Sequence, residues 1–222
     1  MKIISSDELR KIKVIDNNEE LVDLRVYSPL LKFNIASYVF KNGGMKSKED
    51  AHFVRKSIAT RLNKAIELLP SGYGISIECG YRSPEIQQKS YDEVYKALSK
   101  DNPLWNEQEL RKEMENRVSE VDIAPHCSGG AVDLTILGPN NEELDMGTGT
   151  DEFSTDTYTD SPNISSNARS NRKILINVMT QAGFINFPVE WWHWSYGDRE
   201  WAYHQSNKTA IYDTKVMKKA SR

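Results

Sequence analysis

The sequence contains only two cysteines, Cys79 and Cys127, among its 222 residues. Two cysteines cannot build a disulfide framework, so we expect both to be free thiols. No apolar run approaches the ~18 residues that a membrane-spanning helix needs. The first residues also lack the roughly 7–15-residue apolar stretch of a secretory signal peptide. These absences lead us to expect a cytoplasmic protein with no membrane partner.

An excess of positive charge is also missing. Lys and Arg number 29 against 32 Asp and Glu, which gives a formal net charge of −3. A dedicated nucleic-acid-binding domain usually carries a basic face, so we expect no nucleic acid as a partner. The mean hydropathy of −0.62 indicates a strongly polar surface. At ~100–200 residues per domain, the length favours a single domain over the whole chain, residues 1–222.

Local patterns intersperse helices with a few strands, which favours an α+β fold in one compact domain. Ser83 before Pro84 is a typical helix start, and Asn106 with Glu109 resembles a capping box. On helical spacing and end signals, we predict helices at 47–69, 84–98, from 106 onward and about 171–183. On apolar alternation and turn signals, we predict strands at 74–79, 131–136 and about 189–194.

Two segments lack such periodicity. Residues from about 138 to 170 are rich in Gly, Asn, Ser, Thr and Asp. A loop of roughly thirty residues is uncommon in a compact domain and tends to be functional or disordered. We interpret this segment as a long active-site loop. The lysine-containing segment from about 206 to 222 is expected to be a flexible tail.

Four residues in the second half of the chain carry the types needed for metal chemistry. His126, Asp133 and His193 supply two imidazoles and a carboxylate. Three protein ligands leave a fourth zinc position open for water, as in catalytic sites. Glu190, three residues before His193, has the type and place of a general base that is not itself a ligand.

These short patterns also fit a structural interpretation, in which the tryptophans around His193 belong to the core. In a regular strand over 190–194, Glu190 and His193 would point to opposite faces. Both side chains reach one ion only if Glu190 lies at the entrance of the strand, which Pro188 favours.

Three motifs in order strengthen the functional interpretation. The run 126–133, His-Cys-Ser-Gly-Gly-Ala-Val-Asp, matches His-x-x-Gly-x-Ala-x-Asp. The run 190–193, Glu-Trp-Trp-His, matches Glu-x-x-His, and Gly-Tyr-Arg stands at 80–82. In these motifs the sequence resembles the zinc D-alanyl-D-alanine peptidases of the VanX/VanY type over roughly half of its length, from about Gly80 to Trp194.

The resemblance implies a hedgehog/DD-peptidase-like fold, with a small antiparallel sheet and packed helices. It implies one zinc ion per chain, held by His126, Asp133 and His193. It makes Glu190 the general base and Arg82 the group that stabilises the transition state. The implied activity is zinc-dependent hydrolysis of D-Ala-D-Ala or a related short cell-wall peptide.

A further match concerns the substrate. Dipeptidases of the VanX type carry an acidic residue shortly after a Met-Gly pair, and here Asp151 follows Met146-Gly147. The resemblance implies that Asp151 binds the free ammonium of the dipeptide. Ala124 and Ser83 depart from the dipeptidase pattern, and Tyr-Arg-Ser is more typical of the carboxypeptidase branch. A D,D-carboxypeptidase or another peptidoglycan peptidase therefore stays open, as does a non-catalytic hedgehog-like binding domain.

Overall fold

The computed structural model describes residues 4–41, 44–150, 152, 154–206 and 209–217. The helices are α1 (Ser6–Arg10), α2 (Leu24–Tyr27), α3 (Ser37–Lys41), α4 (Gly44–Asp50), α5 (Lys56–Glu67), α6 (Pro84–Asp101), α7 (Glu107–Met114), α8 (Pro125–Ser128), α9 (Ser166–Gln181) and α10 (Arg199–His204). The strands are β1 (Lys13–Val14), β2 (Leu21–Asp23), β3 (Lys32–Phe33), β4 (Phe53–Arg55), β5 (Gly74–Cys79), β6 (Ala131–Leu137), β7 (Ile185–Asn186), β8 (His193–Ser195) and β9 (Thr209–Ala210).

A five-stranded sheet in the order β3-β5-β6-β8-β7 forms the centre of this α+β fold. Its pairs are antiparallel except β3 with β5, which run parallel, so the expected antiparallel sheet is in fact mixed. Parallel neighbours need a crossover connection, and the chain between β3 and β5 supplies one through α3, α4, β4 and α5. Two-stranded pairings join β1 to β9 and β2 to β4.

The main core lies on the central strands. Every residue of β6 is buried, and so are the five residues of β5 that follow Gly74. Helix α5 turns Ile58, Leu62 and Ala65 to this core because they recur at helical spacing. Helix α9 contributes Leu175, Val178 and Met179, as well as the buried Arg172. The site described below is therefore built on a sheet that packing holds rigidly.

The predicted helix over 47–69 is wrong at residues 51–55, which separate two helices. The chain forms α4 up to Asp50, then the extended β4, and only then α5. Tertiary pairing explains the break, since β4 is paired with β2 and the carbonyls of Ala51 and Phe53 accept hydrogen bonds from residues 80 and 81. Apolar periodicity from Ile58 onward describes α5 correctly, but it wrongly includes Val54 of β4 because it cannot reveal these distant partners.

The predictions with local cap signals are confirmed. Ser83 Oγ accepts a hydrogen bond from the amide of Ile86, with Pro84 in the first turn of α6. Asn106 and Glu109 form the expected capping box of α7. Strands β5 and β6 lie where alternation predicts them. No helix in the described ranges is long and apolar enough to cross a membrane.

Three further predictions about helices, strands and the tail differ from the structure. Helix α9 begins at Ser166 rather than near 171, because Ser165 caps it, and a short 3₁₀ turn occupies Thr155–Thr157 within the predicted loop. The strand expected at 189–194 is shorter, and β8 begins only at His193. Residues 209–217, expected in a flexible tail, pack on the body: β9 pairs with β1, and Tyr212 is buried.

Candidate metal centre and active site

Three elements bring His126, Asp133 and His193 together. Asp133 on β6 is the direct antiparallel partner of His193, the first residue of β8. His126 lies on the single-turn helix α8, after which Gly129 turns the chain back into β6 with a φ of 73°. Such a positive φ suits glycine, which has no Cβ to clash with the backbone. The sequential motif thus becomes a spatial cluster through one tight turn and one strand pairing.

The donor atoms of the three residues form a tight triangle. His126 Nε2 lies 3.2 Å from Asp133 Oδ2 and 3.2 Å from His193 Nδ1. His193 Nδ1 lies 3.0 Å from Asp133 Oδ1. Ligands at ~2.0–2.1 Å from a tetrahedral zinc ion are about 3.3 Å apart, so the triangle has the size of a zinc site. All three side chains are buried.

The orientation of His126 also fits metal binding. Its Nδ1 lies 2.7 Å from the carbonyl oxygen of Gly80, to which an Nδ1–H group donates. That hydrogen bond leaves Nε2 as the lone-pair atom facing Asp133 and His193. Histidine ligands of metal ions are usually oriented by such a contact to the second ring nitrogen. The residues present therefore fit a zinc ion with His₂Asp ligation.

The electrostatics of the cluster correspond to closely paired charges. Burial alone would raise the pKa of Asp133, but the charges and hydrogen bonds of His126 and His193 hold it well below its usual range. Burial alone would lower the pKa of His126, whereas the Asp133 carboxylate raises it to about 10. A metal ion binding here therefore competes with a proton for Nε2 of His126.

Glu190 lies in the turn before β8, outside the strand. Its Oε2 is 3.8 Å from His193 Nδ1, and Asp133, Glu190 and His193 offer ligand atoms that lie within 4.8 Å of one another. Burial and the nearby Asp133 carboxylate raise the pKa of Glu190 to about 8. The strand-entrance position thus brings Glu190 and His193 to the same side.

Arg82 lines a cavity that His126, Asp133 and His193 also line. Its Nη1 donates to Gln87 Oε1 at 3.0 Å, and its Nη2 lies 3.7 Å from Cys79 Sγ. Its Cζ lies 5.7 Å from the centre of the Tyr38 ring. Although burial alone would lower the pKa of Arg82, nearby Cys79, Tyr38 and Asp133 raise it. Arg82 therefore presents a permanently charged guanidinium, held by these contacts, to the site formed by His126, Asp133 and His193.

Sequence reasoning missed three residues of this site. The Tyr38 hydroxyl donates to Asp133 Oδ2 at 2.8 Å. Cys79, His126 and Asp133 also form a possible metal-binding group, with ligand atoms within 4.8 Å of one another. Gln87 holds Arg82 while its Nε2 donates to the Ser119 carbonyl. The position of Cys79 just before the Gly-Tyr-Arg motif was a usable signal, whereas no local pattern marks Tyr38.

The cavity over the cluster has a volume of about 280 Å³. It extends beyond Arg82 between α1, α6 and the segment after α7, where apolar residues such as Leu9, Val94 and Val118 line it. Thr150 of the long loop borders it too, and its hydroxyl donates to Glu78 Oε2. Asp151, the predicted ligand of the substrate ammonium, lies outside the described residues.

Comparison with known proteins identifies similar chains. A peptidase family described as "D-ala-D-ala dipeptidase" matches residues 17–213. The D-alanyl-D-alanine dipeptidase of Synechocystis sp. is 30% identical over 139 residues, which cover 57% of this chain but only 49% of that protein. The D-alanyl-D-alanine dipeptidase of Escherichia coli K12 is 28% identical over 183 residues, covering 81% of this chain and 86% of that protein.

Among solved structures, the match to a mutant of the vancomycin-resistance D,D-pentapeptidase VanY, in complex with Zn(II), has 19% identity and a TM-score of 0.44. It covers 70% of this chain and 80% of that one.

Proposed function

The chain belongs to the D-Ala-D-Ala dipeptidase family of peptidases, and we propose that it is a zinc-dependent dipeptidase that hydrolyses D-Ala-D-Ala to two D-Ala. One observation carries the proposal: the His126, Asp133 and His193 donor atoms converge, and Glu190 Oε2 lies 3.8 Å from His193 Nδ1. A module that only binds a partner has no need of a largely buried carboxylic acid beside its metal ligands.

We assign the metal to His126, Asp133 and His193, one ion per chain. A zinc ion there would supply the Lewis acidity that activates water near neutral pH. The Tyr38 hydroxyl and the Gly80 carbonyl hold Asp133 and His126 in place through their hydrogen bonds. These contacts support a preorganised donor set rather than one that assembles on binding.

Glu190 has the role of general base and then general acid. Its carboxylate takes a proton from the attacking water as the new C–O bond forms. It then delivers that proton to the amine nitrogen as the C–N bond of the peptide breaks. A pKa raised to about 8 in the metal-free site suits both steps, because a proton-transfer group works best near the operating pH. A nearby divalent cation would lower this pKa and favour the basic form.

Arg82 stabilises the negative charge that develops on the scissile carbonyl oxygen. A fixed guanidinium in a buried site is suited to this task, because it needs no reorganisation as charge develops. Gln87 fixes one side of the guanidinium through Nη1, and Tyr38 packs near its Cζ. Both contacts support an oriented Arg82.

Asp151 is assigned the free ammonium of the dipeptide. It directly follows Thr150, which lines the cavity, and this supports a place near the substrate. A buried ammonium is costly without a carboxylate partner. A dipeptide brings this charge to the site, whereas a longer peptide has no ammonium near the cleaved bond.

The test compares D-Ala-D-Ala with N-acetyl-D-Ala-D-Ala on zinc-loaded protein, with D-Ala release as the readout. We expect the free dipeptide to be strongly preferred. Charge-assisted hydrogen bonds contribute ~1.5–3 kcal/mol, so Asp151→Asn should lower kcat/KM for the free dipeptide roughly 10- to 100-fold. Glu152→Gln, which removes the neighbouring carboxylate that accepts from the Gly149 amide, is the matched control.

A D,D-carboxypeptidase is the second candidate, favoured by the cavity branch past Arg82 toward α1 and α6. Equal rates on the free and capped peptides, unchanged by Asp151→Asn, would identify it. Stoichiometric zinc without hydrolysis of either peptide would point to a binding domain instead. A cytoplasmic location is part of the dipeptidase proposal, and cell fractionation tests it.

A further inference from the structure

Arg172 is a buried arginine that the proposed chemistry does not use. It lies in the middle of α9 with 1% of its surface exposed. Its Nε donates to the Met146 carbonyl at 2.8 Å and its Nη1 to the Tyr158 carbonyl at 2.7 Å. Its Nη2 donates to the Asp156 carbonyl at 2.9 Å and lies 3.4 Å from Thr148 Oγ1. Within the described ranges, no carboxylate lies at ion-pair distance from this guanidinium.

A buried cation without a directly paired carboxylate is unfavourable. Burial lowers the pKa of Arg172 to about 10, although the charges of Asp156 and Asp145 partly oppose this shift. An apolar residue would fill this position in α9 without that cost. Only arginine, however, offers several N–H donors in a rigid plane, so that one side chain can hold several carbonyls. Here the guanidinium of Arg172 binds the carbonyl groups at both ends of the segment 146–158.

The same segment is bound to the turn that carries Glu190. Trp191 Nε1 donates to Thr148 Oγ1 at 2.9 Å, and the Trp191 amide donates to the Thr157 carbonyl at 3.1 Å. Thr157 Oγ1 lies 2.7 Å from the Val189 carbonyl. The Arg172 Cζ itself lies 5.6 Å from the centre of the Trp191 ring, a cation–π contact. Val189 and Trp191, the residues on either side of Glu190, are thus hydrogen-bonded to the segment that Arg172 binds.

We infer that Arg172 is a positioning residue for Glu190. It fixes residues 146–148, residues 156–158 and the turn 189–191 as one unit, and so sets the Glu190 carboxylate against the donor atoms of His126, Asp133 and His193. The inference rests on the proposed function, because it takes Glu190 as the general base. Small misplacements of a reacting group are expensive, since an error of about 1 Å costs on the order of 10²-fold in rate.

The experiment uses Arg172→Lys, which keeps the charge but loses the planar set of donors. Arg169→Lys is the matched control: it lies on the same helix and holds the Pro162 and Ile164 carbonyls, but it is exposed. For each protein we would measure bound zinc, kcat and KM on D-Ala-D-Ala, and hydrogen exchange of the peptide that contains Trp191.

Arg172→Lys should bind one zinc ion, lose on the order of 10²-fold in kcat with KM nearly unchanged, and exchange faster at Trp191. Arg169→Lys should change none of these. A zinc-loaded Arg172→Lys protein with wild-type kcat, or a change in KM alone, would overturn the inference.

Thr148→Val provides a second variant if Arg172→Lys does not fold. It keeps the side-chain shape but removes the acceptor of the Trp191 indole, and it should shift kcat and exchange in the same direction by less. Wild-type values for both would overturn the inference. If the zinc-loaded wild type does not cleave D-Ala-D-Ala, the proposed function fails, while the exchange comparison still tests the link from Arg172 to the turn.

Discussion

At the scale of single residues, Glu190 illustrates how position decides chemistry. A carboxylic acid at the surface would be ionised at neutral pH and shielded by water. Here burial and the Asp133 carboxylate raise its pKa to about 8. In the metal-free site the residue can therefore hold a proton or release it near neutrality, and a bound divalent cation would favour release.

We predict that Glu190→Gln keeps one zinc ion per chain but loses roughly 10²–10⁴-fold in kcat, the usual contribution of a positioned acid–base group. The amide preserves the volume and cannot accept the proton of the attacking water. Zinc analysis and steady-state kinetics on D-Ala-D-Ala test this. Glu143→Gln is the control, because it changes an exposed acid that accepts a hydrogen bond from Asn34. A near-wild-type kcat would remove Glu190 from the mechanism.

The metal itself is the subject of a second prediction at this scale. His193→Ala removes one of three donors and leaves the buried Asp133 with a single histidine partner, so dialysed protein should retain well under one zinc ion per chain. His204→Ala is the control, since His204 belongs to neither possible metal-binding group of the described residues. Stoichiometric zinc in dialysed His193→Ala would refute the assigned ligand set.

At the scale of secondary structure, the turn between α8 and β6 decides whether the motif becomes a site. A Cβ at Gly129 would lie 2.4 Å from Leu21 Cδ2, in a backbone conformation with a φ of +73°. The left-handed conformation costs an L-residue about 1–2 kcal/mol, and the contact requires the Leu21 side chain to shift as well.

Gly129→Ala should therefore lower the free energy of unfolding by about 1–3 kcal/mol and weaken zinc binding, because His126 precedes the turn. Gly74→Ala is the matched control: its Cβ would meet Leu137 Cβ at an ordinary 3.7 Å. Urea unfolding and zinc titration of both variants test the prediction, and equal behaviour of the two would show that the turn is not strained.

The same scale explains what the sequence predicts well. The starts of α6 and α7 depend on contacts within four residues, such as Ser83 with Ile86, and these are readable locally. His126, Asp133 and His193 also stand in compact motifs, and the pairing of β6 with β8 brings the last two together. Their role as metal ligands stays a prediction. By contrast, β4 exists because β2 and residues 80 and 81 pair with it, and Tyr38 meets Asp133 across 95 positions. No local pattern encodes such contacts.

At the scale of the whole molecule, Arg55 joins distant parts of the chain. It is fully buried, and its Nε donates to the Ser128 carbonyl in the turn behind His126. Its Nη groups bind the Glu19 and Asp213 carbonyls and pair with the Asp16 carboxylate at 2.7 Å. One guanidinium thus binds the N-terminal segment, the segment 209–217 and the turn that follows His126.

This arrangement makes part of the stability dependent on pH. Burial alone would raise the pKa of Asp16, but hydrogen bonds and the charge of Arg55 lower it. Because the folded-state pKa lies below the unfolded value of ~3.9, the stabilisation is complete above that value. It is lost as the pH falls through the lower, folded-state pKa.

Asp16→Asn should therefore destabilise the protein at pH 7 by about 1.5–3 kcal/mol, the range for a hydrogen bond to a charged group, with the lower end favoured because Asp16 is partly exposed. The difference from wild type should shrink as the pH falls below about 4, since the Asp16 carboxyl of the wild type then becomes protonated as well. Urea unfolding of the metal-free proteins across this pH range measures the difference.

Asp7→Asn, at an exposed acid 3.7 Å from Arg10, is the control and should have little effect at any pH. If the destabilisation by Asp16→Asn stays constant down to pH ~2, the charge of Asp16 contributes nothing to the free energy of unfolding through its contact with Arg55.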